Sequence, residues 1–133
     1  MKLKSNYKNL KFMTKNTSAY SPTGSYTDIP TAKLIIPKDG VYELRFSSWM
    51  RLGIDGIYSF GRVRFTLNGN YIDKTERRFR IENDNATYAR RDFDICINKI
   101  VNCKAGDIFT VQAIEEDNLV QVQAGVIEYQ QIG

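Results

Sequence analysis

An alternation with a period of two runs through most of this chain, and it restricts the fold more than any other feature. In the segment from Gly40 to Leu52, Tyr42, Leu44, Phe46, Ser48, Met50 and Leu52 share one parity, while Glu43, Arg45 and Arg51 hold the other. A strand with one buried face has this pattern. Arg62-Val63-Arg64-Phe65-Thr66-Leu67 alternates in the same way and then meets Asn68-Gly69, whose ready access to positive φ suits a tight hairpin turn. Arg91 to Ile97 repeats the alternation, Gly106-Asp107 opens a segment from Ile108 to Ile114, and Asn118 opens one from Leu119 to Ile132. No window of about eleven residues places apolar side chains at i, i+3, i+4 and i+7 behind a capping residue, so no long helix is expected. A short helical turn fits only the N-terminal segment. The pattern predicts an all-β fold of about seven to nine antiparallel strands, a sandwich or a closed barrel, because a parallel sheet needs crossover helices. Tyr42, Leu44, Phe46, Phe65, Leu67, Ile95, Ile97 and Val111 are expected to share the core, with Cys96 on the opposite face.

At 133 residues the chain fits a single core. Residues 1–23 are lysine-rich and punctuated by turn formers, and they read as a basic N-terminal arm ahead of a β domain at 24–133. Apolar anchors in that arm, including Leu3, Leu10, Phe12 and Met13, leave room for part of it to pair as a strand or to dock on a neighbour. No apolar run reaches the roughly 20 residues of a membrane helix, and Met1-Lys2-Leu3-Lys4 leads into polar sequence rather than a signal-peptide core. Maturation in a cytosol and no membrane partner are therefore expected.

The chain has no histidine, which removes the commonest general base and zinc ligand. Cys96 and Cys103 lack a Cys-x-x-Cys spacing and are expected to be reduced thiols. Glu115-Glu116-Asp117 sits between strand patterns, where consecutive acids point in different directions, so no metal site is expected there. The stretch from Gly53 to Gly61 lacks the Gly-Lys-Ser/Thr end of a phosphate loop and reads as a flexible loop. Together these readings predict no enzyme, no cofactor and no metal.

The net charge of +4 is unevenly spread. Residues 1–36 carry Lys2, Lys4, Lys8, Lys11, Lys15 and Lys33 against Asp28 alone, whereas residues 104–133 set Lys104 against Asp107, Glu115, Glu116, Asp117 and Glu128. The first five lysines are candidate attachment residues for an acidic surface, with a solubilising tail as the alternative. Arg77, Arg78 and Arg80, with Tyr88, Arg90 and Arg91, flank the loop from Glu82 to Thr87 and form a candidate binding loop or interface. Arginines with aromatics suit an anion or a nucleic-acid strand. The interleaved Glu76, Glu82, Asp84, Asp92 and Asp94 favour local ion pairs at a rim or subunit boundary instead.

Four segments in order resemble the jelly-roll superfamily of tumour necrosis factor and the complement globular heads. Ile36-Pro37-Lys38-Asp39-Gly40-Val41-Tyr42-Glu43-Leu44-Arg45-Phe46 is similar to that family's proline and glycine-x-tyrosine-x-phenylalanine strand entry. Leu67-Asn68-Gly69 is similar to its hairpin, and Cys103-Lys104-Ala105-Gly106-Asp107 to its leucine-x-x-glycine-aspartate turn, with Cys103 in the leucine position. Ala124-Gly125-Val126-Ile127-Glu128-Tyr129 resembles its closing strand. The stretch Arg51 to Phe60 has no counterpart in the family pattern.

The resemblance implies an antiparallel jelly-roll β-sandwich and a homotrimer, and related modules occur in phage fibres and capsid-associated proteins. The expectation is a non-enzymatic virion structural protein, made in a host cytoplasm, that trimerises and docks on other virion proteins. Eight tyrosines, seven phenylalanines and Trp49 exceed the need of one small core, so some are available to an interface. The alternative is a module that binds a host glycan or receptor, with Trp49, Tyr58 or Tyr88 as stacking faces. A nucleic-acid partner is the less favoured third reading.

Overall fold

The computed structural model describes residues 10–54, 58–82, 89–117 and 119–133. Ten strands follow one another: β1 (Phe12–Asn16), β2 (Thr27–Ile35), β3 (Gly40–Ile54), β4 (Tyr58–Leu67), β5 (Asn70–Tyr71), β6 (Arg77–Glu82), β7 (Ala89–Cys103), β8 (Ile108–Asp117), β9 (Leu119–Val122) and β10 (Val126–Gln131). They build two antiparallel sheets that pack face to face as a β-sandwich. The first has the order β1-β10-β3-β7, with β9 also on β3. The second has the order β2-β8-β4-β5, with β6 also on β4. Among the described residues there is no helix.

The ladder between β3 and β7 fixes the first sheet. It runs without a register shift from Gly40↔Cys103 to Ile54↔Ala89. On its other side β3 pairs with β10 over Tyr42–Ser47 and with β9 over Met50–Gly53. The expected single strand from Leu119 to Ile132 is thus two, broken at residues 123–125. Gly125 makes the break possible, because a Cβ there would collide with the Ser47 carbonyl and stand 2.9 Å from the Ser48 Cα. The break is stitched by Gln123 N–H to the Trp49 carbonyl and by the Ser48 hydroxyl to the Gln123 carbonyl. The strand count exceeds the expected number through this split and through the two-residue β5. The Gly53 to Gly61 stretch, read as a flexible loop, is strand at Gly53 and Ile54 and again from Tyr58, and residues 55–57 lie outside the described set.

Parity places the core as the alternation predicts. Tyr42, Leu44, Phe46, Phe65, Ile95, Ile97 and Val111 are all buried, and Leu67 is half-buried against them. Edge-to-face pairs, Tyr42 with Tyr129 at 5.4 Å and Phe65 with Phe109 at 4.8 Å, fill each sheet's inner face. The Tyr42 hydroxyl donates to the Lys38 carbonyl at 2.7 Å, so this buried phenol is not left unpaired. Phe79 of β6 meets Phe93 of β7 at 5.8 Å across one open side of the sandwich. On β2, an edge strand, Pro30 and the left-handed Thr31 (φ 68°) interrupt the register between Asp28 and Lys33, which protects that edge from pairing with other chains.

The Asn68-Gly69 hairpin has the expected positive φ at both residues, 53° and 79°. Its side chain organises that end of the molecule: Asn68 Oδ1 accepts from Ile108 N–H and Nδ2 donates to Asp107, whose other oxygen accepts from Lys104 N–H. The Lys104 amide and then Asn68 hold the Asp107 carboxyl below its ordinary range. Cys103 is buried, with its thiol pushed up to about 11 by burial and then by Asp107, whereas Cys96 is exposed. Both lie on β7, seven residues apart, a span of about 23 Å at strand rise that no disulfide bridges.

Two substitutions test this packing by thermal and denaturant unfolding. Phe46→Ala empties a fully buried site and is expected to cost about 3–5 kcal/mol. Gly125→Ala adds one methyl against backbone that cannot retreat and is expected to cost about 1–3 kcal/mol. Unchanged midpoints contradict the assigned core and the assigned break.

Candidate binding face

The arginines grouped by the sequence reading fall on different sheets. Arg78 and Arg80 of β6 lie opposite Arg62 and Phe60 of β4, on the outer face of the second sheet. Arg77 has the other parity, opposite Val63, and its guanidinium donates to the Lys74 and Glu76 carbonyls. Arg90 and Arg91 belong to β7 in the first sheet, opposite Gly53 and Leu52. Tyr88 lies outside the described residues, as do Lys2, Lys4 and Lys8. Lys11 precedes β1, and Lys15 sits within it opposite Ile127, both exposed.

The second sheet assembles a denser constellation than the one expected. Alternation along β4 sends Phe60, Arg62 and Arg64 outward, and cross-strand pairing sets Arg62 beside Arg78. Two like charges directly opposite are unfavourable unless an anion intervenes. Glu76 intervenes: its Oε1 lies 2.9 Å from Arg78 Nε and 3.8 Å from Arg62, and its Oε2 accepts the Tyr26 hydroxyl at 2.7 Å. Burial pulls the Glu76 carboxyl upward, but the Tyr26 hydroxyl, Arg78 and Arg62 outweigh it and hold it below its ordinary range. Burial and the same hydrogen bond push the Tyr26 phenol well above its ordinary range. Arg80 pairs with Glu82 at 2.8 Å.

Arg64 stands next to this group in a different setting. Its guanidinium lies 3.7 Å from the Tyr26 ring centroid and 5.3 Å from that of Tyr71. Nε donates to Gln112 Oε1 at 3.0 Å, and Gln112 Nε2 donates to Asp28 at 3.0 Å. Arg62 similarly lies over Phe60 at 5.2 Å. The Arg62-x-Arg64 spacing is legible as alternation and the Asn68-Gly69 hairpin returns Tyr71 beside it, but nothing in the linear sequence signals that Tyr26 and Gln112, from two other segments, converge on Arg64.

The outer face of the first sheet is different in character. Arg45 pairs with Glu43 at 3.3 Å and Glu128 at 3.2 Å, and Arg51 pairs with Asp92 at 3.1 Å while lying over Trp49. Around these pairs the register sets Phe12 beside Gln130, Gln130 beside Glu43 and Glu43 beside Ile100, with Ile132 next to Val41. At one corner of this sheet a cleft of about 290 Å³ is lined by Ser21, Arg51, Arg90 and Glu115 among others. Among the described residues no group of three or more Cys, Asp or Glu is placed to hold a metal ion, and no helix is long and apolar enough to cross a membrane. No protein-family model matches the chain, and no curated protein matches it in sequence.

Because the folded state holds Glu76 below its ordinary pKa, its ionised form stabilises the fold above about pH 4.5, and that contribution is lost as pH falls through the lowered value. Glu76→Gln should therefore lower the melting temperature at pH 7, with the parent and variant curves converging toward pH 3. Parallel curves across that range contradict the assigned pairing.

Proposed function

We propose that this chain is a non-enzymatic virion structural protein, a capsid-associated decoration or fibre-type module of the jelly-roll class that assembles as a homotrimer and docks on a larger particle. The jelly-roll assignment is supported by the strand orders β1-β10-β3-β7 and β2-β8-β4-β5, in which all but the short β4–β5–β6 and β9–β10 connections pass from one sheet to the other. It agrees with the four sequence segments that resemble the superfamily.

The observation that carries the assembly reading is the set of exposed apolar side chains around the paired charges on the first sheet's outer face. Phe12, Ile100 and Ile132 are 57%, 60% and 45% exposed there, beside a centre whose charges are already paired among Arg45, Glu43 and Glu128. An isolated subunit leaves these side chains in water, whereas packing of three copies about a common three-fold axis removes them from it without stranding the paired charges. The lysines at positions 2, 4 and 8 precede β1 and supply a basic segment suited to an acidic docking surface.

Light scattering on the full chain is expected to give three times the 15.3 kDa subunit mass. The double variant Phe12→Asp, Ile100→Asp should give a folded monomer with unchanged circular dichroism. Deleting residues 1–9 should leave a trimer that no longer incorporates into its particle. A parent protein that is folded and monomeric at tens of micromolar, or a double variant that stays trimeric, overturns the reading.

A further inference from the structure

We propose that Arg64 is a recognition site for an acidic saccharide: its guanidinium receives one carboxylate or sulfate group, and the exposed Tyr71 ring beside it packs against the sugar.

The cations on the two sheet faces are distinguished by what neutralises them. Arg45, Arg51, Arg62, Arg78 and Arg80 each pair with a carboxylate, and Arg77 is turned onto backbone carbonyls. Arg64 has instead a side-chain amide, Gln112, as its hydrogen-bond partner, and no carboxylate of the described residues lies within ion-pair distance of it. Gln112 is itself committed to Asp28, so its oxygen faces Arg64 Nε and leaves the two terminal nitrogens uncommitted. Stacking at 3.7 Å on Tyr26, whose hydroxyl is tied to Glu76, fixes the plane of the guanidinium. The ordering cost of a long side chain is thereby met on folding rather than on binding. A planar fork held this way matches the two coplanar oxygens of a carboxylate or two oxygens of a sulfate.

The surroundings select the size and charge of the ligand. Asp28 and Glu76 flank the clamp, so the cations do not form an uninterrupted strip, and a nucleic acid that binds by neutralising successive phosphates meets carboxylates on both sides. One anionic group avoids that conflict. Tyr71, 44% exposed and 5.3 Å from the guanidinium, offers an amphipathic ring face next to the charge, which suits a sugar ring carrying the acid. The site lies on the second sheet, so it is independent of the contact proposed for the first.

The test is nuclear magnetic resonance titration of the full chain, following the Arg64 Nε–H and the Tyr71 ring. The probes are sialyllactose, a sulfated disaccharide, neutral lactose, inorganic sulfate and a single-stranded oligodeoxynucleotide. Saturable shifts are expected with at least one acidic saccharide, and lactose and inorganic sulfate should bind about tenfold more weakly or not at all. Arg64→Lys keeps the charge and loses the planar fork, and should weaken saccharide binding about tenfold. Tyr71→Ala, at an exposed position, should erase the preference for the saccharide over inorganic sulfate. The proposal is overturned by equal binding of lactose, by equal binding of inorganic sulfate, by an unaffected Arg64→Lys protein, or by shifts at Arg64 with the oligonucleotide alone. Absence of shifts with either acidic saccharide overturns it as well.

Discussion

The ladder between β3 and β7 is the constraint from which the other features follow. Its fifteen residue pairs hold one register, and a slip by one would turn Tyr42, Leu44 and Phe46 from the core to solvent. With that parity set, Glu43, Arg45, Trp49 and Arg51 must face outward, and the strands on the other side of β3 must adapt to it. They do so by dividing into β9 and β10 at a glycine that no other residue replaces without collision. The second sheet inherits its alignment by packing Phe65, Phe109 and Val111 on this inner face.

Two outer faces of contrasting chemistry result. On the first sheet, paired charges lie among the exposed apolar side chains Phe12, Ile100 and Ile132. On the second, arginines, tyrosines and a shared glutamate form a continuous polar and aromatic surface. Neither surface is dictated by the core, because outward positions contribute little to burial. Their composition is where a function carried by binding, rather than by reaction chemistry, would be written.

The elements legible in the sequence are those set by local pattern. The parity of Tyr42, Leu44 and Phe46 needs only the period of a strand, and Asn68-Gly69 needs only the φ preferences of its two residues. What pattern does not carry is which strand lies beside which. Arg77 to Arg91 looked like one cluster because the residues are close in sequence, yet β6 and β7 belong to different sheets. The clamp around Arg64 is hidden for the opposite reason: the Asn68-Gly69 hairpin brings Tyr71 back beside β4, but Tyr26 and Gln112 are far from Arg64 in the chain and meet it only because β2 and β4 both pair with β8. Part of the expected arm, Phe12–Asn16, is a strand on β10, a pairing available only after the last strand is in place.

Whether the first sheet's outer face is covered by like subunits, as proposed, while the second stays open to solvent is read directly from the isoleucine methyls. Ile100 on the first sheet and Ile35 on the second are both 60% exposed in the isolated subunit. Relaxation of methyl resonances by a soluble paramagnetic agent, read on the full chain in solution, reports how far each is from solvent. Strong relaxation is expected at Ile35, with marked protection at Ile100 and Ile132. Equal relaxation at Ile35 and Ile100 would contradict it.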